Sequence, residues 1–179
     1  RLESECIMTV YDPPVSTYTP LGSITLSSAE SSVTFSSIPQ TYRDLIVSVA
    51  GTGTANAAYY LRVNGDSGSN YNTVGMKARS SGPESYADAT QAQVYVVGNG
   101  WGTGGWFNSQ IQLLDYSATD KHKSMLIRNG NYDNSYASPT VVGVAARWAN
   151  NSAISSIYFS TNTSTFAVGT TFSLFGIAS

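Results

Sequence analysis

The chain has 179 residues, of which only 11% are charged, and its formal net charge is −2. The length suits one domain with a sizeable core, and the scattered Lys and Arg residues form no basic face that would indicate a nucleic-acid partner. A single cysteine, Cys6, excludes an intrachain disulfide and a zinc site built on several cysteines, and no apolar stretch approaches the length of a membrane-spanning helix.

The first 20 residues are predicted to form an extended arm that lies along the domain or reaches a neighbouring subunit. Prolines disfavour a helix and favour extended backbone, and tyrosines beside them offer contact area. The prolines and tyrosines of this segment are Tyr11, Pro13, Pro14, Tyr18 and Pro20. Residues 1–7 are either native or a leader or remnant preceding Met8. Residues 21–179 are predicted to form a single domain.

From residue 21 onwards, strands alternate with polar turns. Val33 and Phe35, for example, alternate with polar residues, which is typical of a strand with one buried face. The predicted strands are 21–27, 33–36, 42–49, 59–63, 71–79, 91–97, 106–116, 123–128, 141–148, 154–160 and 171–177. The connections with the strongest turn composition are Asn64–Asn70 and 98–105. Residues 80–89, which contain Pro83, are predicted to be a loop with room for a short helical turn, and residues 129–138 a polar loop.

About ten strands, no convincing helix and no strict repeat predict an all-β sandwich, and the strand count favours a jelly roll over an immunoglobulin-type fold. The final strand, 171–177, is expected to lie within a sheet because an exposed apolar strand would aggregate. The alternation predicts a core made of Val33, Phe35, Leu45, Val47, Leu61, Ile111, Leu113, Val142, Val144, Ile157, Phe159, Phe172 and Leu174.

No catalytic, cofactor or metal site is expected. His122 stands between two lysines in a polar turn, which favours a solvated side chain over a Ser-His-Asp arrangement. Asn64–Asn70 has the oxygen-rich composition of a calcium loop, but Asp66 is its single charged residue, so a β-turn is favoured. The other carboxylates are scattered, so spacing pairs no two of them for glycoside hydrolysis.

Aromatic residues in predicted turns are the candidate contact residues. They are Trp101, Trp106, Tyr132 and Tyr136, which join Tyr11, Pro13, Pro14 and Tyr18 of the arm. Aromatic side chains beside Asn and Asp stack on sugar rings in lectin-type sites, and they also anchor protein–protein interfaces. Both interpretations stay open, and core or interface packing is favoured.

Parts of the sequence resemble a known family. The segment Ser31–Val49, SSVTFSSIPQTYRDLIVSV, has a strand, an Ile-Pro break and a Tyr-x-Asp-Leu strand, and Asn64–Tyr71 follows as a turn. The closing segment from Trp148 to Ile177 adds a second stretch. These segments, about half of the chain, are similar to small β-rich virion proteins of tailed bacteriophages, especially those of marine and cyanobacterial hosts.

The resemblance implies a non-enzymatic β-sandwich displayed on a virus particle. Such domains occur as capsid decoration, or cement, proteins and as modules of head or tail fibres. The short chain, with no coiled-coil stem, favours decoration of the head, with the major capsid protein or other virion proteins as partners and with homo-oligomers expected. The alternative is a fibre or spike domain that binds host-surface carbohydrate. Neither nucleic acid nor membrane is an expected partner.

Overall fold

A computed structural model describes residues 17–55, 57–97, 105–133 and 138–178. These residues form twelve strands: β1 (Tyr18–Thr25), β2 (Ser32–Phe35), β3 (Asp44–Thr52), β4 (Tyr59–Val63), β5 (Tyr71–Arg79), β6 (Gly82–Gln91), β7 (Val94–Val97), β8 (Trp106–Leu114), β9 (Lys123–Asp133), β10 (Ser138–Trp148), β11 (Ile157–Thr161) and β12 (Thr171–Ile177). Within the described ranges, no helix is long and apolar enough to cross a bilayer.

Eight of the strands pair as a long hairpin rolled into two sheets. The first pairs with the last, β1 with β12, and the nested pairs β2–β11, β3–β8 and β4–β7 follow inwards. Further pairing of β12 with β3 and of β11 with β4 assembles the orders β1-β12-β3-β8 and β2-β11-β4-β7. This arrangement is a jelly roll, so the predicted all-β sandwich is confirmed.

Two further hairpins, β5–β6 and β9–β10, extend one of the sheets. They join it beyond β8 to give an eight-stranded sheet of order β1-β12-β3-β8-β9-β10-β5-β6, whereas the other sheet keeps four strands. The last strand of the small sheet, β7, reaches β5, β9 and β10. The inner face of the large sheet therefore continues past the edge of the small sheet, and its outer face forms one wide surface.

The core lies between the two sheets. All of the predicted core residues are buried, because one face of each central strand meets the opposite sheet. Aromatic residues fill the centre: the Tyr59 ring lies 5.3 Å from that of Phe107, and the Phe166 ring lies 5.1 Å from that of Phe172. Ring pairs at these separations add to the stabilisation that comes from burial alone.

Residues 82–91 form β6, so the loop predicted for residues 80–89 is wrong. The strand pairs with β5 on one side and is the edge of the large sheet. Pro83 is compatible with that position because an edge strand leaves one row of backbone groups unpaired. The polar loop predicted for residues 129–138 is also too long, since β9 continues to Asp133 and β10 begins at Ser138.

The last residues of the predicted arm belong to the sheet. β1 begins at Tyr18, whose partner is Ile177 on β12, and the register shifts between Pro20 and Gly22. β1 is an edge strand, which accommodates Pro20 for the same reason as Pro83. Residues 1–16, with the predicted contact residues Tyr11, Pro13 and Pro14, lie outside the described residues.

Candidate functional site

Two of the predicted contact residues come together on the large sheet. Trp106 begins β8 and Tyr132 lies near the end of β9, and the two are direct cross-strand partners, so their side chains share one face. Trp106 is 59% exposed and faces away from the core, since its neighbour Phe107 is buried. Tyr18 is exposed on β1, at the far edge of the same sheet. Trp101 and Tyr136 lie outside the described residues.

The outer face of the large sheet carries an exposed apolar surface next to this aromatic pair. The side chains are Val74 and Met76 on β5, Leu126 on β9 and Val141 on β10, and they are exposed by 47–71%. We call these four residues the outer patch. Large apolar side chains that gather on one exposed face, rather than scattering singly, mark interaction surfaces.

Cross-strand register explains how the outer patch forms. Val141 lies opposite Ala78, Gly143 opposite Met76, and Ala145 opposite Val74. Leu126 lies opposite Ala145 on the other side of β10. The neighbouring residues of β10 are thus small, which leaves the larger side chains standing above the surface.

Two open grooves cross this face, one of about 540 Å³ and one of about 720 Å³. Both are lined by Met76, Gln110, Arg128 and Gly143. A Cβ atom placed on Gly143 would meet no atom within 4 Å, so the missing side chain itself shapes the grooves. The guanidinium of Arg128 and the amide of Gln110 supply hydrogen-bonding groups beside the apolar side chains. The face can therefore contact a partner through both apolar surface and a few directed hydrogen bonds.

The orientation of β5 was the main feature that sequence reasoning missed. Its apolar residues Val74 and Met76 face outwards, because Tyr71 fixes the opposite face towards the core. The Tyr71 hydroxyl accepts a hydrogen bond from Val63 N (3.1 Å) and donates one to Asp66 O (3.1 Å). A slip of one residue would bring Val74 inside but bury the neighbouring Asn72 instead of Tyr71. Alternation along β5 was the available signal, although it gave no indication of which face is buried.

The predicted turn at Asn64–Asn70 is confirmed, and Asp66 organises it. Asn64 and Gly65 have φ values of 52° and 66°, and Asp66 N donates to Val63 O (3.0 Å), which is the geometry that Asn-Gly favours. The Asp66 carboxylate accepts hydrogen bonds from Trp148 Nε1 (2.6 Å), Asn70 Nδ2 (2.9 Å) and Gly68 N (2.8 Å). The bond from Trp148 in particular lowers the pKa of Asp66. Both carboxylate oxygens of Asp66 thus accept hydrogen bonds from groups of the protein itself.

We expect Asp66→Asn to cost about 1 kcal/mol of stability at pH 7, because a partly exposed carboxylate accepts stronger hydrogen bonds than a neutral amide. The folded-state pKa lies below the unfolded value, so this stabilisation is present above the unfolded pKa and is lost as pH falls through the folded pKa. Urea unfolding at pH 7 and pH 3 should show the variant losing less stability on acidification than the parent. The exposed Asp120→Asn variant is the control, and equal acid sensitivity of Asp66→Asn and the parent would contradict the assignment.

His122 is exposed in the connection between β8 and β9, as expected for a loop residue. In the same connection, the Lys121 ammonium lies 3.4 Å from the Asp115 carboxylate, and both side chains are about half exposed. Across the described part of the chain, no three His, Cys, Asp or Glu side chains come close enough to hold a metal ion.

Comparison with protein-family models, with curated proteins and with solved structures finds no match to this chain. A function is therefore inferred from the chain's own residues and from the sequence resemblance described above.

Proposed function

We propose that the chain is a non-enzymatic structural protein of a tailed-phage virion, a decoration protein that binds the capsid exterior. The sequence resemblance supports the virion assignment. The observation that carries the binding role is the outer patch, together with Trp106 and Arg128 on the same face. The partner is the major capsid protein or another virion protein.

The composition of this face is that of a protein–protein interface. Interface cores are depleted in charge and enriched in aromatic residues, Met and Arg, and all three classes are present here as Trp106, Met76 and Arg128. Complete burial of an exposed apolar side chain of this size contributes about 1.5–3 kcal/mol before ordering costs are subtracted. The four residues of the outer patch therefore supply enough gross stabilisation for specific attachment.

The chain's low charge supports a role in a dense array. With 11% charged residues and a net charge of −2, neighbouring copies repel one another weakly. The segment that precedes β1, with Tyr11, Pro13 and Pro14, adds a second contact in this proposal. Proline restricts the free segment, so binding loses less conformational entropy, and two linked contacts bind more tightly than either alone.

The outer patch can be tested by placing charge in it. We expect the double variant Met76→Glu, Val141→Glu to fold normally, since both side chains are exposed, but to lose at least about tenfold in affinity for particles that lack the protein. Particle co-sedimentation measures the loss. Val168→Glu is the matched control, because Val168 is 62% exposed but lies in the connection before β12. Unchanged co-sedimentation of the double variant would contradict the proposal.

The arm and the copy number provide separate tests. Deleting residues 1–16 leaves β1 complete and should weaken attachment without unfolding the domain.

Quantitative mass spectrometry of purified virions should find the protein in hundreds of copies. A handful of copies per particle would instead identify a fibre or spike component.

A second function is favoured by one specific observation, the pairing of the exposed Trp106 with the half-buried Tyr132 beside the amide side chains Asn108 and Gln110. In a fibre or spike domain, this pair would stack on host-surface glycans. The isolated domain would then bind host cells or surface polysaccharide, and Trp106→Ala would abolish that binding. In the decoration proposal, by contrast, the same substitution would weaken attachment to particles, because Trp106 belongs to the capsid-binding face.

A further inference from the structure

The inner face of the large sheet holds a cleft where it extends past the small sheet. It has a volume of about 210 Å³ and lies between β5, β6, β7 and β10. Its polar and aromatic lining consists of Lys77, Arg79, Tyr86, Asp88, Tyr95 and Thr140. The cleft opens on the side of the sheet opposite to the outer patch, since Lys77 and Arg79 alternate along β5 with Met76.

Several contacts hold the lining in place. The Lys77 ammonium lies 2.8 Å from the Glu84 carboxylate and 5.7 Å from the centre of the Tyr86 ring. The Tyr86 ring lies across Gly75, where a Cβ atom would come within 2.4 Å of it. The Tyr95 ring packs against Tyr60 with their centres 5.2 Å apart. Both aromatic rings and the lysine thus have fixed positions before any ligand binds, which lowers the ordering cost of binding.

The charges at the cleft are balanced. Two cations, Lys77 and Arg79, and one carboxylate, Asp88, line the cleft, and both cations lie within 4.0 Å of a second carboxylate, Glu84, beside it. A net positive cleft would indicate an anionic ligand, whereas a balanced set of donors and acceptors suits a neutral molecule with several hydroxyl groups. Each sugar hydroxyl can donate to a carboxylate while it accepts from an ammonium or guanidinium, and bonds to charged groups are the stronger ones.

The size and the aromatic rings narrow the ligand class. Sites for drug-sized molecules span about 300–1,000 Å³, so this smaller cleft has room for one sugar ring rather than a chain. The rings of Tyr86 and Tyr95 line the cleft and offer apolar surface for the C–H groups of a pyranose. Burial raises the pKa of Tyr86, as do Tyr95 and Asp88 to a smaller extent, so its hydroxyl stays protonated and can donate a hydrogen bond.

We propose that this inner cleft is a binding site for a single neutral sugar residue, either free or at the end of a glycan. The inference does not rest on capsid attachment, because the cleft and the outer patch lie on opposite faces of the sheet. It also differs from glycan stacking on Trp106, which belongs to the outer face. A decoration protein with this cleft would present a carbohydrate-binding site from the particle surface.

The proposal is tested with the full chain by NMR titration against glucose, galactose, mannose and N-acetylglucosamine, with glucuronic acid as an anionic comparison. For a ligand of this size we expect a Kd of about 1–10 mM for at least one neutral sugar. Chemical-shift changes should be confined to β5, β6, β7 and β10. Asp88→Asn and Thr140→Val should each weaken binding at least threefold, and the thermal unfolding temperature of each variant shows that the domain is intact.

Matched controls separate this site from the outer face and from a structural role for the charges. Asp120→Asn removes an exposed carboxylate elsewhere and should leave the Kd unchanged. The proposal is overturned if no neutral sugar binds at about 50 mM, well above the expected range. It is equally overturned if glucuronic acid alone binds, if both cleft variants bind normally, or if Trp106→Ala abolishes binding.

Discussion

Deleting residues 171–179 is expected to abolish cooperative folding. These residues include β12, which lies between β1 and β3 and pairs with both along its length. Without it, β1 loses its partner strand and the large sheet ends at β3 with an unpaired edge. The deletion also removes Phe172 and Leu174, which are 0% and 3% exposed in the core.

The free energy lost with β12 is expected to exceed the total free energy of unfolding of a domain of this kind. Each of the two buried side chains contributes about 2–5 kcal/mol when truncated, and the backbone pairs on both sides of β12 are lost in addition. Total stabilities are only about 5–15 kcal/mol. The truncated chain should therefore aggregate or show no cooperative thermal transition by circular dichroism. Removing only Ala178 and Ser179 is the control and should leave the transition intact. If the chain that lacks residues 171–179 is soluble and melts cooperatively, the role assigned to β12 is wrong.

The sequence predicted the fold wherever a strand shows its own alternation. β2, β4 and β12 place apolar residues at every second position, because one face of each meets the core. The turn after β4 was predictable because Asn64 and Gly65 tolerate positive φ. β6 was not predictable, since its side chains are mostly exposed and its strand conformation depends on pairing with β5.

The candidate sites were harder to predict, because they depend on where one sheet ends relative to the other. Trp106 and Tyr132 were identified from composition, although Tyr132 was expected in a loop and lies on β9. Met76 and Val141 were not among the predicted core residues, but nothing in the sequence indicated that they gather on one exposed surface. Lys77 and Arg79 read as the polar face of β5, but they point inwards at a place that the small sheet does not cover. Neither strand order nor sheet width is encoded in local alternation, so neither surface could be assembled from the sequence.

Phe166 is a core residue that lies outside the strands. It lies in the connection between β11 and β12 and is completely buried. Its ring lies 5.8 Å from that of Tyr59 and 6.4 Å from that of Phe107, in addition to its contact with Phe172. Its backbone also exchanges hydrogen bonds with Glu30, at 2.8 and 3.1 Å. One residue therefore joins the connections at this end of the sandwich to the aromatic centre of the core.

We expect Phe166→Ala to lower the free energy of unfolding by about 3–5 kcal/mol, because the rigid rings around it cannot collapse into the cavity. The backbone bonds to Glu30 do not depend on the side chain, so the loss measures the ring itself. Urea unfolding followed by tryptophan fluorescence gives the value, and Phe166→Leu should lose less because it retains part of the volume. Val168→Ala, two residues away but exposed, should change stability by no more than about 0.5 kcal/mol. A loss below about 1 kcal/mol for Phe166→Ala would show that the surrounding aromatic residues close the space, and that this connection is not an anchor of the core.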